Sequence, residues 1–92
     1  MKKIVWKITR VTNREGVEIN SPDVQERKNL KWLVYHAKEG RSAIFLEATT
    51  KPFESKTLRT STVEELILFD ASMQVTTRNS VYWLEQSIED VE

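Results

Sequence analysis

The sequence predicts a mainly β protein with six or seven short antiparallel strands, arranged as a small barrel or a sandwich. Short stretches in which apolar and polar residues alternate indicate half-buried strands. Turn-forming residues separate these stretches at close intervals, and the sequence shows no rhythm of strand, helix and strand. A chain of 92 residues suits one domain with one core, which we place over residues 1–92.

The N-terminal stretch predicts a first hairpin. Apolar and basic side chains alternate over residues 3–11. The polar stretch 12–16 contains asparagine and glycine, which favour tight turns, and residues 17–19 alternate again. The residues expected to share the buried face of the first strand are Ile4, Trp6 and Ile8, whereas Val5 breaks the alternation.

The stretch after this hairpin leaves two interpretations open. Ser-Pro-Asp at 21–23 is typical of a helix start, because serine caps the first turn and proline fits its first position. The run at 30–36 is rich in aromatic and branched residues, which favour a strand with a partner at 43–49. We favour the strand, with one short helix within residues 22–38 that is best placed near 22–28. A longer helix there would make the fold α+β.

The second half of the chain predicts three more strands and a frayed end. Residues 50–57 contain a proline and form a connector. Residues 61–69 match both a helix capping box and a short buried strand. Residues 73–77 alternate cleanly, a turn follows, and residues 81–85 return as a strand. The acidic residues 87–92 are expected to fray as a tail.

Two segments of this half carry a resemblance. Residues 59–63 read Arg-Thr-Ser-Thr-Val, and residues 77–84 read Thr-Arg-Asn-Ser-Val-Tyr-Trp-Leu. The pattern Thr-Ser-x-Val followed by Thr-x-Asn-Ser-x-Tyr-x-Leu resembles the ending of a group of small β-rich bacterial and phage or plasmid proteins of unknown function. The resemblance implies strands at 59–67, 73–77 and 80–85 and an origin in bacteria or a mobile element. It carries over no catalytic residue.

Residue counts exclude several kinds of chemical site. Without cysteine, the chain has neither a disulfide nor a thiolate metal site. His36 is the single histidine, so a metal site built on two histidines is excluded. Two glycines cannot form a glycine-rich phosphate loop, and the adjacent carboxylates at 64–65 and 89–90 diverge. We therefore predict no catalytic residue, no metal, no cofactor and no enzymatic activity, and no small-molecule substrate is evident.

Charge and compartment give two further expectations. Residues 1–59 hold 13 Lys and Arg against 7 Asp and Glu, whereas residues 60–92 hold one Arg against 7 acids. Either the chain has a basic face and an acidic tail, or the two halves neutralise each other where they pair, which we favour. The lack of cysteine and of any run of about 20 apolar residues predicts a cytoplasmic protein without a membrane partner.

Two sets of side chains predict binding. Residues 81–84 are apolar on both faces, and a small domain has little material to cover both, so Tyr82 or Trp83 is predicted in an interface with a partner protein or a second copy. The second set places basic beside aromatic residues, as in proteins that bind single-stranded nucleic acid. Its members are Lys3, Lys7, Arg10, Lys31, Lys38 and Arg41. The sequence favours a protein-binding module or small regulator, with a single-stranded nucleic-acid-binding domain or a structural subunit as alternatives.

Overall fold

A computed structural model of the protein describes residues 2–48 and 56–90. In chain order, the elements within these residues are β1 (Lys2–Asn13), α1 (Pro22–Lys28), β2 (Trp32–His36), β3 (Ser42–Glu47), β4 (Thr57–Phe69), β5 (Ser72–Thr77) and β6 (Ser80–Asp90). Each strand pairs antiparallel with the next, and β6 pairs with β1, so that one sheet closes into a ring. The predicted mainly β fold of antiparallel strands with one short helix is confirmed.

The short helix α1 forms where the sequence places a helix start. The Ser21 side chain accepts a hydrogen bond from the Val24 amide at 3.4 Å, and Pro22 occupies the first position. Val24 is buried against the core, which fixes one face of this helix of seven residues. A strand follows at β2, so the interpretation as a short helix followed by a strand is confirmed. The helix is too short and polar to span a membrane.

Two predicted elements differ from those observed. The hairpin partner at residues 17–19 is reduced to a single bridge between Thr12 and Glu18, because the chain turns away toward α1. Residues 61–69 belong to the long strand β4, and the alternative capping-box helix does not form there. Most of the predicted connector 50–57 lies outside the described residues.

The strand β4 is long because its first half pairs with one strand and its second half pairs with another. Residues 57–62 pair with β3, and residues 63–69 pair with β5. The seam between β1 and β2 is much thinner, since only Trp6 and Trp32 pair there. The ring is therefore continuous on one side and joined by a single residue pair on the other.

The core fills the inside of this ring. Trp32 is its largest fully buried side chain, and its indole Nε1 donates a hydrogen bond to the Arg27 carbonyl at 3.0 Å. This bond ties the end of α1 to the core. The other buried members of the core cluster are Ile8, Val11, Val24, Ala43, Phe45, Leu58, Val63, Met73, Val75, Tyr82 and Leu84.

Beyond the ring, β1 and β6 continue together as a two-stranded ribbon of residues 2–5 and 87–90. Residues 87–90 are therefore paired strand rather than the predicted frayed tail, and residues 91–92 lie outside the described part. Within the ribbon, Ile4 pairs in register with Ile88. These two side chains are 52% and 67% exposed, because the ribbon leaves the core behind. The predicted burial of Ile4 is wrong for this reason, whereas Val5, which breaks the predicted alternation, is buried at 2% exposure where the ribbon joins the ring.

The fold places basic residues of the first half of the sequence beside acids of the second half. Lys3 pairs in register with Glu89, and Lys7 pairs with Glu85. Arg14 forms an ion pair with Glu64, which again joins the basic and acidic halves. Lys31 forms a second such ion pair with Glu89, so basic side chains of the first half meet acids of the second half in both contacts.

Candidate functional site

The two predicted interface aromatics point to opposite faces of β6. Tyr82 is 7% exposed and belongs to the core cluster. Burial raises the pKa of the Tyr82 hydroxyl, and the charge of Arg27 and a hydrogen bond with Ser80 oppose this rise only in part. Trp83 alternates to the outer face and stays half-buried. Tyr82 is therefore a core residue, and of the two only Trp83 is placed to contact a partner.

Neighbours on β1 hold Trp83 in position. The guanidinium of Arg10 lies over its indole, 5.0 Å from the ring centre, which is cation–π geometry. The Thr9 hydroxyl donates a hydrogen bond to the Trp83 carbonyl at 3.2 Å. Thr9 is the extra residue of a bulge in β1, and this bulge brings Arg10 into register with Trp83. One side of the indole is thus covered by the chain itself.

A shallow cleft, which we call the Trp83 cleft, lies on this outer face. Its volume is about 140 Å³. It is lined by Thr9, Phe69, Ser72, Met73, Gln74, Trp83, Leu84 and Glu85. Phe69 is 56% exposed, so two aromatic side chains border the cleft. The cleft is smaller than the roughly 300–1,000 Å³ typical of small-molecule pockets, and it suits one side chain of another protein.

The rim of the Trp83 cleft is acidic. Glu85 is the one charged residue in its lining, and it forms no ion pair among the described residues. Asp70 lies in the exposed turn between β4 and β5, next to Phe69. Lys7 lies in register with Glu85, so a basic group of a partner would compete with Lys7 for that carboxylate, whereas Asp70 forms no ion pair among the described residues.

The predicted nucleic-acid contacts do not form one surface. Lys3 and Lys7 lie in register with acids of β6, and Arg10 covers Trp83. Lys31 forms an ion pair with Glu89, and its hydrogen bond lowers the pKa of that carboxyl group. Arg10 and Lys31 are therefore engaged by neighbours, and Lys3 and Lys7 lie beside acids rather than on an uninterrupted basic surface. The remaining two, at positions 38 and 41, belong to the turn between β2 and β3.

A second cleft, which we call the arginine cleft, lies at that turn. Its volume is about 320 Å³, and it is lined by His36, Arg41, Ser42, Ile44 and Arg59. Sequence reasoning found Arg41 but missed Arg59 as a partner. His36 pairs with Ile44, and Ile44 pairs with Arg59, so only the strand register brings these residues together. No local pattern in the sequence signals this convergence.

A third cleft of about 340 Å³ lies between α1 and the start of β4. Its charges are mixed, and Lys56 forms an ion pair with Glu26 across it. Within residues 2–48 and 56–90, no three His, Asp or Glu side chains converge to hold a metal ion. The first two clefts are therefore the candidate sites that the described structure offers.

No protein-family model matches the chain, and no curated protein or solved structure matches it significantly.

Proposed function

We propose that the protein is a non-enzymatic binding module that docks a segment of another protein in the Trp83 cleft. The observation that carries this proposal is the position of Trp83 on the outer face of the closed sheet, beside the exposed Phe69. Large aromatic side chains dominate the binding energy of many protein interfaces, and two of them border this cleft.

Size and charge support one kind of occupant. The cleft volume of about 140 Å³ accepts one apolar side chain, not an extended ligand. Glu85 lines the cleft without an ion pair among the described residues, and Asp70 is exposed beside Phe69. The partner segment would therefore present an apolar side chain with a lysine or arginine close by, since charge complementarity fixes the register of such contacts.

The same charges argue against a second copy of the chain as the occupant. A two-fold interface brings one patch against its own copy, so a second copy would bring the same acids, Glu85 and Asp70, and the lining of its cleft would supply no basic residue to meet them. Like charges across an interface cost binding energy and suppress a wrong partner. A partner with basic residues satisfies the rim, whereas a second copy does not.

Selection from a displayed peptide library tests this proposal, because such a library samples many candidate partner segments at once. The library is selected on the wild-type protein and depleted on the Trp83→Ala variant. We expect the enriched peptides to carry an apolar residue next to lysine or arginine. By calorimetry, Trp83→Ala should weaken binding of such a peptide by about thirtyfold, which is the effect of losing one anchor worth roughly 2 kcal/mol.

Two further variants separate the parts of the site. Glu85→Gln should weaken binding less than Trp83→Ala does and should reduce its salt dependence, because it removes only an exposed charge. Val17→Ala is a matched control, since Val17 is an exposed apolar residue at the turn after β1. Acidic enriched peptides, or equal binding to Trp83→Ala, would overturn the proposal. A dimer mass in light scattering that Trp83→Ala abolishes would overturn it in favour of a second copy.

A further inference from the structure

We propose that the arginine cleft binds a phosphate of a single-stranded nucleic acid while Tyr35 stacks on a neighbouring base. This site is separate from the Trp83 cleft, and its ligand is not a protein. The proposal rests on the arginines of β3 and β4, on the bulge in β2 and on the exposure of Tyr35.

The two arginines of the cleft are free to take an anion. Among the described residues, neither Arg41 nor Arg59 forms an ion pair or a side-chain hydrogen bond. The nearest carboxylate in sequence, Glu39, accepts a hydrogen bond from the Leu66 amide at 3.3 Å. Arginine presents a planar fork of donors that suits phosphate oxygens, so two converging arginines favour a phosphate group.

The other polar groups of the cleft complete this environment. Ser42 contributes a hydroxyl and His36 an imidazole, both of which can donate a hydrogen bond to an anion. Lys38 is exposed in the turn that leads to Arg41, and the Arg41 amide donates to the Lys38 carbonyl at 3.3 Å. The basic surface thus continues from the cleft along the turn, as the path of a phosphate backbone requires.

A bulge in β2 places an aromatic side chain on the same face. Ile44 and Leu46 alternate with the buried Phe45 along β3, so both lie on the outer face. His36 pairs with Ile44 and Leu33 pairs with Leu46, so these two residues of β2 lie on the outer face as well. Tyr35 follows Leu33 by two residues and is the extra residue of the bulge. Alternation and the bulge therefore bring Tyr35 and His36 to the outer face together.

The exposure of Tyr35 favours a nucleic acid over a phosphorylated peptide. Tyr35 is 70% exposed, and the core gains almost nothing from an aromatic residue there. An exposed ring beside arginines can stack a base while the cations hold the phosphate, and a base inside a duplex has no free face for such stacking. A phosphopeptide would use the arginines and leave the ring without a role.

Fluorescence anisotropy with labelled single-stranded DNA and RNA oligonucleotides tests the proposal. We expect binding that weakens steeply with salt, and Arg41→Gln and Arg59→Gln should each lower the slope of log K against log salt by about 0.7. Tyr35→Ala should weaken binding on the order of tenfold, whereas Tyr35→Phe should keep it, because stacking on one base is lost only in the first.

Controls distinguish this site from other anion binding and from the proposed protein docking. Lys7→Gln removes one positive charge from β1, which pairs with neither β3 nor β4, and should leave the salt slope unchanged. Trp83→Ala should leave oligonucleotide binding unchanged even if peptide binding fails. Absence of binding at low salt would overturn the proposal, as would equal binding by Tyr35→Ala. Competition by a phosphopeptide or inorganic phosphate as effective as that by unlabelled oligonucleotide would overturn it in favour of a general phosphate site.

Discussion

Trp32 lies on the inner face of the closed sheet and Trp83 on its outer face. Replacing each by alanine should therefore lower the free energy of unfolding by different amounts. Trp32 is 2% exposed and donates a hydrogen bond to the Arg27 carbonyl, so Trp32→Ala removes a core side chain and leaves that carbonyl with only the longer hydrogen bond from the Leu30 amide. Such a truncation costs about 3–5 kcal/mol for the cavity and roughly 1 kcal/mol more for the hydrogen bond.

Trp83→Ala should cost much less. Its indole is half-buried on the outer face, and the chain loses the contact with the Arg10 guanidinium, which is worth about 0.5–1 kcal/mol at an exposed site. With part of a side chain's burial added, the expected loss is about 1–2 kcal/mol. A domain of this length has a free energy of unfolding of roughly 5–14 kcal/mol, so Trp83→Ala should remain folded, whereas Trp32→Ala approaches the limit of stability.

Urea denaturation followed by circular dichroism measures both losses. We expect the urea midpoint of Trp83→Ala to fall by about 1–2 M and the midpoint of Trp32→Ala to fall by several times as much. In thermal unfolding, the Trp83→Ala shift should be on the order of 4–16 °C. If Trp83→Ala destabilises the chain as much as Trp32→Ala does, Trp83 belongs to a core and cannot serve as a docking surface.

Three further predictions concern single residues. In a Tyr35→Phe background, Tyr82 is the one remaining tyrosine; because burial raises its pKa above the usual 10.0, stability should fall as pH rises beyond about 10, and tyrosinate absorbance should appear at higher pH than in the urea-unfolded chain. Lys31→Met should raise the pKa of Glu89, measured by NMR titration, since the hydrogen bond that lowers it is lost; in the wild type, the stabilisation from this bond should be present above the usual pKa of 4.5 and lost as pH falls through the lowered value. Gly40→Ala should destabilise the protein by roughly 1 kcal/mol and Gly40→Asn by less, because the φ of +87° and not steric contact is the obstacle; equal urea midpoints for all three proteins would contradict this.

The local patterns of the sequence predicted most of the strands because those patterns depend on near neighbours. The alternation at 73–77 and 81–85 produced β5 and the first half of β6. The Ser-Pro-Asp start at 21–23 produced α1, since capping is settled within one turn. The ambiguity at 61–69 was resolved by tertiary structure, because β4 pairs with a neighbour on each half of its length.

Features that depend on register escaped sequence reasoning. Tyr82 and Trp83 are both apolar, so the alternation could not say which faces the core; the pairing of β6 with β1 and β5 decides it. Ile4 lies on the same side of β1 as the buried Ile8, as the alternation predicts. It is exposed because it lies beyond the ring, and the sequence does not show where the ring ends. Arg59 joins Arg41 only through the pairing of β3 with β4.

The measurement that tests the proposed docking site most directly is an NMR map of amide shifts on titration with a peptide selected from the displayed library. We predict that the largest shifts fall on the residues that line the Trp83 cleft, around Phe69, Gln74, Trp83 and Glu85, and that residues 35–44 shift little. Shifts centred on residues 35–44, or spread over the ribbon of residues 2–5 and 87–90, would contradict the assignment of this cleft as the protein-binding site.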